Sequence, residues 1–155
     1  MIEINECTEK DIKLLAEMNK QLIEDEKSNN LMDVTQLESR MNDFLNNEYK
    51  AFFFIVEKKI IGYALCDMTK EPKYLRQFFI KREERRKHYG KNAFNKLLEK
   101  LGIQEIEIDV LKCNEDGIKF WENIGFKEQW KRMSYQIQAK PLRRVIAIST
   151  TIRHN

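Results

Sequence analysis

The chain has 155 residues, of which 42% are hydrophobic and 34% charged, and its formal net charge is +3. That length fits one domain with a real core, and the composition excludes a disordered or low-complexity protein. So small a positive excess gives no global field for nucleic acid, and the longest apolar run, Ala51 to Val56, is far too short to cross a bilayer.

Cys7, Cys66 and Cys113 are odd in number and far apart, which argues against a disulfide framework. Two histidines, one of them next to last, supply no metal cluster. The opening MIEINE is acidic and lacks the basic-then-apolar layout of a secretion signal. These features predict a reduced, metal-free, cytoplasmic protein with no membrane or nucleic-acid partner.

Ile2 to Cys7 reads as a short strand, and Thr8 with Asp11 three positions on can cap the helix that follows. That helix carries Leu14 or Leu15, Met18 and Leu22 on one side and runs to about Glu26. After a polar break, Asp33 opens a second helix with Val34, Leu37, Met41, Phe44 and Leu45 inward. Ala51 to Val56 and Ile60 to Met68 are strands joined by a tight turn at Glu57, Lys58 and Lys59. Tyr74 to Ile80 follows, antiparallel to the second of them. A basic loop then leads into a helix with Ala93, Phe94, Leu97, Leu98 and Leu101 on one face, ended by Gly102 as a left-handed cap. Ile106 to Val110 alternates as a half-buried strand, and Asp116 to Ile124 is a short helix stopped by Gly125. Phe126 to Gln138 is expected to add one or two final strands.

The resulting order, βααβββαβαβ(β), specifies an α/β (α+β) single domain over residues 1–138. Its sheet is mixed, mostly antiparallel and twisted, with six to seven strands flanked by four helices. In the tail, residues 139–155, Ile146, Ile148, Thr150 and Ile152 alternate. They give either an extra strand, able to pair with a second copy in a homodimer, or a disordered extension.

The segment from Tyr74 through Leu101 carries the most chemistry. A helix start leaves unpaired N–H groups and the positive end of a dipole, which suits an anion. Arg85, Arg86, Lys87 and Lys91 add charge there, and Gly90 has no side chain to block a ligand. Pyrophosphate is the expected ligand.

The run Arg85-Arg86-Lys87-His88-Tyr89-Gly90 after a strand, with Asn114, Phe120, Trp121, Gly125 and Phe126 on a second strand–helix unit, resembles the GNAT superfamily of acyl-CoA-dependent N-acyltransferases. The likeness covers residues 1 to about 138. It implies acetyl-CoA or another acyl-CoA as co-substrate, with loop backbone N–H groups at Arg85, Arg86, Lys87, His88, Tyr89, Gly90 and Lys91 holding the pyrophosphate. It also implies that Phe78, Phe79 and Ile80 pair with the pantetheine arm, and that Asn114 and Trp121 line its other side.

Two positions depart from that pattern. His88 stands where the first glycine is usual, and the loop is expected to keep a negative φ there. Trp121 replaces the tyrosine that protonates the leaving thiolate in many relatives, and an indole is not a usable acid. Expelling a thiolate of pKa ~8.5 near pH 7 costs only ~2 kcal/mol, whereas deprotonating an alkylammonium of pKa ~10.4 costs ~4.6 kcal/mol. Obtaining a neutral amine is thus the larger problem. Glu26 extends the inward stripe of Met18 and Leu22 and is the expected base or ammonium docking site, with Glu24, Asp25 and Asp67 as rivals; water or Tyr135 can stand in for the missing acid.

The sequence therefore predicts direct acetyl transfer to a primary amine, on a small molecule or an accessible peptide, with an acidic lip favouring a cationic acceptor. The alternative is a CoA-binding sensor or partner protein with little catalysis, motivated by the missing tyrosine and the lack of a carboxylate on Tyr74 to Ile80.

Overall fold

The computed structural model describes residues 1–138. Met1–Gly125 forms one compact unit, and the chain from Phe126 on belongs to a second. The first unit runs β1 (Glu3–Glu6), α1 (Ile12–Asp25), α2 (Val34–Asn46), β2 (Tyr49–Val56), β3 (Lys59–Asp67), β4 (Lys73–Ile80), α3 (Tyr89–Leu101), β5 (Ile106–Ile108) and α4 (Glu115–Ile124). The strands lie in numerical order in one five-stranded sheet. Neighbours are antiparallel except for the parallel pair β4 and β5.

Local signals account for most boundaries. Thr8 and Asp11 make a reciprocal capping box on a short 3-10 turn that leads into α1, and Asp33 with Gln36 does the same for α2. Glu57 and Lys58 both adopt positive φ, 50° and 64°, as a two-residue hairpin between twisted strands requires. Gly102 ends α3 at φ 65°.

The Phe52-Phe53-Phe54 run feeds both faces of the sheet. Phe53, with Ala51, Tyr63, Leu65 and Phe79, packs on Leu15, Met18 and Leu22 of α1 and Met41 of α2. Phe54 turns the other way onto Phe78, with ring centroids 5.1 Å apart. Phe78 in turn meets Phe94 of α3 and Trp121 of α4 edge-on, at 6.4 and 5.1 Å. Each buried phenylalanine contributes about 1.5–3 kcal/mol by area, and each such ring pair adds roughly 0.5–1.5 kcal/mol.

The order through α4 is the expected one, but among the described residues the sheet has five strands rather than six to seven. Residues 126–138 form no helix or strand. Met133, Tyr135 and Ile137 do alternate, yet their side chains are exposed, as is Trp130. Alternation states which face a strand would bury; it supplies no partner ladder for the unpaired backbone. The expected strand at Ile106 to Val110 is likewise shorter, ending at Ile108. The expectations for residues 139–155 lie outside the described residues.

Gly62 of β3 pairs with Ile80 of β4, and a Cβ there would stand 2.0 Å from the Phe79 carbonyl oxygen. Gly62→Ala must push the two strands apart and should cost about 1–3 kcal/mol. Urea denaturation checks this: the midpoint falls while the slope stays constant.

Candidate active site

Strand β4 pairs with β3 along most of its length but with β5 only through Lys73, Tyr74 and Leu75. From Arg76 to Ile80 its outer edge faces no strand among the described residues. The register with β3 slips at the same place: Leu65 pairs with Gln77 and Cys66 with Leu75, so Arg76 is the extra residue of a bulge. A bulge bends its strand, and here it coincides with the point where β4 and β5 part. The edge beside Phe78, Phe79 and Ile80 is therefore open among the described residues, with unpaired main-chain groups along one wall. Part of that wall is already used, because the Ile80 carbonyl accepts from Arg85 Nε at 2.8 Å.

After a 3-10 turn at Arg82–Glu84, the basic loop enters α3 through two left-handed residues, Arg86 at φ 64° and His88 at φ 63°. The negative φ expected for His88 is thus wrong. The backbone needs that conformation to aim successive N–H groups inward, and the rest of the fold imposes it on a residue with a Cβ. His88 is the N-cap of α3 and makes no side-chain hydrogen bond there, so the helix start keeps donors for an anion.

The loop's charges are arranged differently from the expectation that all surround the phosphate site. Arg85 Nη2 binds Asp25 Oδ2 at 2.5 Å, and Lys87 joins Lys59 on the buried Glu84 carboxylate. Those lysines hold Glu84 below the usual carboxylate range. Among the cations singled out in this loop, Arg86 and Lys91 are exposed and make no ion pair among the described residues. Gly90 is also small for another reason: a Cβ there would meet the Phe120 ring at 2.8 Å, so the glycine lets α4 pack against the start of α3. Tyr89 is the first residue of α3 and is half-buried.

On the second motif, Asn114 is the N-cap of α4, its Oδ1 accepting from Gly117 N at 3.1 Å. That capping role accounts for its identity without a ligand. Trp121 is half-buried and meets Phe78, Phe94 and Phe120 edge-on.

On the α1–α2 side of β4 lies a polar cluster that the sequence reading missed. Tyr63, fully buried, donates to Gln77 Oε1 at 2.8 Å. Arg40 Nη2 donates to the buried Asn19 Oδ1 at 3.0 Å. Glu26 caps the C-terminal end of α1 and is half-buried. Burial, reinforced by the neighbouring Asp25, raises its carboxyl above the ordinary value. Burial pushes the Tyr63 hydroxyl far up, and the charge of Glu26 adds to the rise. A visible signal existed: Asn19 interrupts the inward stripe of α1 between Met18 and Leu22. Of the rival carboxylates, Glu24 and Asp25 both bind Arg82, and Asp67 accepts from Thr69 in its own turn. Tyr135 is exposed and lies in the second unit.

Coenzyme A fits these features on two grounds: an uncapped helix start behind a left-handed turn for its diphosphate, and an open strand edge for its amide-bearing arm. A family model described as the acetyltransferase (GNAT) family matches residues 16–126. The chain belongs to the GNAT acetyltransferase family. Solved structures share the fold. A Clostridium difficile 630 protein described as a possible acetyltransferase is 18% identical, with 90% of this chain and 99% of that one covered, at a TM-score of 0.70. A Clostridium acetobutylicum protein, described as a predicted acetyltransferase and solved with acetyl-CoA, is 16% identical, covering 88% and 96%, at 0.64. A ribosomal-protein-alanine N-acetyltransferase from Brucella melitensis biovar Abortus 2308 is 16% identical, covering 88% and 100%, at 0.66. No curated protein sequence matches this GNAT chain significantly. Among its described residues no helix is long and apolar enough to cross a membrane, and no cluster of His, Cys, Asp or Glu could hold a metal ion.

Two variants test this geometry. His88→Gly relieves a left-handed cost of about 1–2 kcal/mol and gives back part of it as unfolded-chain entropy, for a net gain of roughly 0.5–1 kcal/mol in chemical denaturation. For Glu26, a carboxyl raised in the folded state favours folding while protonated and opposes it once ionised. Glu26→Gln should therefore raise Tm at pH 7, and the gain should vanish as pH falls below the unfolded carboxylate value near ~4.3.

Proposed function

We propose that this GNAT-family protein is an N-acetyltransferase that moves an acetyl group from acetyl-CoA directly to an amine. The observation that carries the reading is the outer edge of β4, open beyond the Arg76 bulge, and the half-buried Glu26 at the end of α1 is the candidate base. The loop from Arg85 to Lys91 and the start of α3 hold the diphosphate through main-chain donors. Phe78 and its neighbours on β4 take the pantetheine arm as an added strand. Bound acetyl-CoA supplies an activated thioester carbonyl with a leaving group of modest basicity.

Glu26 binds the acceptor's ammonium and accepts its proton, directly or through water, so that the nitrogen lone pair is free to attack. Its raised pKa brings it nearer the working pH, where a carboxylate is a stronger base yet still ionised. Main-chain N–H groups of β4 beyond the bulge stabilise the negative charge that develops on the carbonyl oxygen. The C–S bond then breaks, the attacking nitrogen releases its second proton to solvent to give the amide, and the thiolate takes a proton from solvent. Trp121 supplies none, and the small cost of expelling an unprotonated thiolate makes a dedicated acid dispensable.

Two measurements decide the matter. Coenzyme A or acetyl-CoA at millimolar concentration should raise Tm, and free thiol should appear only when an amine is present. Glu26→Gln should keep the CoA protection and lose roughly 10²-fold or more in turnover. Protection with no turnover across a broad amine panel would instead establish a CoA-binding sensor, and unchanged turnover in the Glu26 variant would remove that residue from the mechanism.

A further inference from the structure

On the α1–α2 side of the sheet two arginines converge without a counter-ion among the described residues. Arg40 of α2 and Arg76, the bulged residue of β4, both stack on the ring of Phe44, with their Cζ atoms 5.4 and 4.9 Å from its centroid. Arg76 also lies over Tyr49 at 5.9 Å and donates from Nη1 to the Tyr49 hydroxyl at 3.3 Å. Among the described residues neither guanidinium has a carboxylate partner. Arg40 Nε is buried and has no hydrogen-bond partner at all.

This arrangement is costly by itself. Two like charges share one ring, and burial together with the Arg76 charge lowers the Arg40 pKa. A guanidinium carries five donors in a planar fork suited to a carboxylate, and a buried donor left unmade costs about 1–3 kcal/mol. Elsewhere on the same side the arginines are neutralised: Arg82 and Arg85 bind Glu24 and Asp25. That pairing also consumes the acidic lip that would have favoured a polycation.

We infer that Arg76 and Arg40 form an anion subsite that binds a carboxylate of the acceptor, so that the acceptor is an amino acid or short peptide bearing both amine and carboxylate. This rests on the acetyl-transfer reading. Arg76 is itself the residue at which the strand edge opens, so a carboxylate held there lies beside the gap that would take the thioester. The bulge at β4 does two things at once: it opens the strand edge towards the thioester, and it turns Arg76 towards α2.

The test is a calorimetric titration of the full chain, with and without saturating CoA. The panel pairs amino acids, ω-amino acids and dipeptides with the amines that lack their carboxylate. At least one carboxylated member should bind about tenfold tighter than its partner. Arg76→Ala should erase that difference without changing CoA affinity, and Arg76→Lys, which keeps the charge but loses the fork, should erase most of it. Equal affinities throughout, tighter binding of the decarboxylated amines, no binding of any carboxylated member, or selectivity that survives in both variants would each overturn the subsite. Absence of CoA binding is a separate failure: it defeats the transfer reading, while the titration without CoA still reports on the arginine pair.

Discussion

The half-paired edge of β4 is the constraint on which the site depends. A strand must satisfy its main-chain donors and acceptors or leave them to solvent or a ligand. Here β5 pairs with only Lys73, Tyr74 and Leu75, and the bulge at Arg76 bends β4 away before the strand ends. The two faces of the same strand are meanwhile fixed by unlike partners. Phe79 lies in the α1–α2 core beside Tyr63, and Phe78 sits among the aromatic rings of α3 and α4. With both faces locked, the edge cannot close by rotating the strand, so the gap persists as a feature of the ground state. Preorganisation of this kind is what a transfer between two bound substrates requires.

The fold was legible where chemistry is local. Capping boxes at Thr8 and Asp33, the hairpin at Glu57 and Lys58, and the stop at Gly102 are each written in a few adjacent residues and appear where expected. What failed depends on partners far away in sequence. The pattern of Met133, Tyr135 and Ile137 describes a strand with one apolar face, but periodicity contains no information on whether an open ladder exists to receive it. The sign of φ at His88 was misjudged for a related reason. A local preference against left-handed backbone of about 1–2 kcal/mol is small beside the packing that fixes both ends of the loop.

The site was partly legible, and its misreadings share a cause. Counting cations along residues 85–91 suggested a uniform phosphate clamp. In space, Arg85 and Lys87 instead tie the loop to α1 and to the buried Glu84, giving it a defined shape; the partly exposed Arg85–Asp25 pair is worth up to about 1 kcal/mol. The phosphate function then falls on backbone donors, which cost no side-chain entropy to hold in place. Gly90 shows the same lesson: its small size serves the contact with Phe120 as much as any ligand. Asn114 caps a helix. Residues that mark the family motif therefore build the walls of the site, and few of them are expected to touch the reacting atoms.

On the α1–α2 side of the sheet, polar groups stand where an apolar core would be more stable. Asn19, Gln77 and Tyr63 are buried, Glu26 is held at a raised pKa, and Arg40 leaves a donor unmade. Replacing any of them by a hydrocarbon of similar shape would remove desolvation costs, so their presence is not explained by stability. Tyr63 and Gln77 join β3 to β4, Asn19 of α1 holds Arg40 of α2, and Arg40 meets Arg76 over the Phe44 ring. On the proposed reading, an acceptor with an ammonium for Glu26 and a carboxylate for Arg76 would bind in one orientation only. The same polarity that destabilises the empty fold would thus set which end of the acceptor meets the thioester, and it links the cost of the cluster to the selectivity of the reaction.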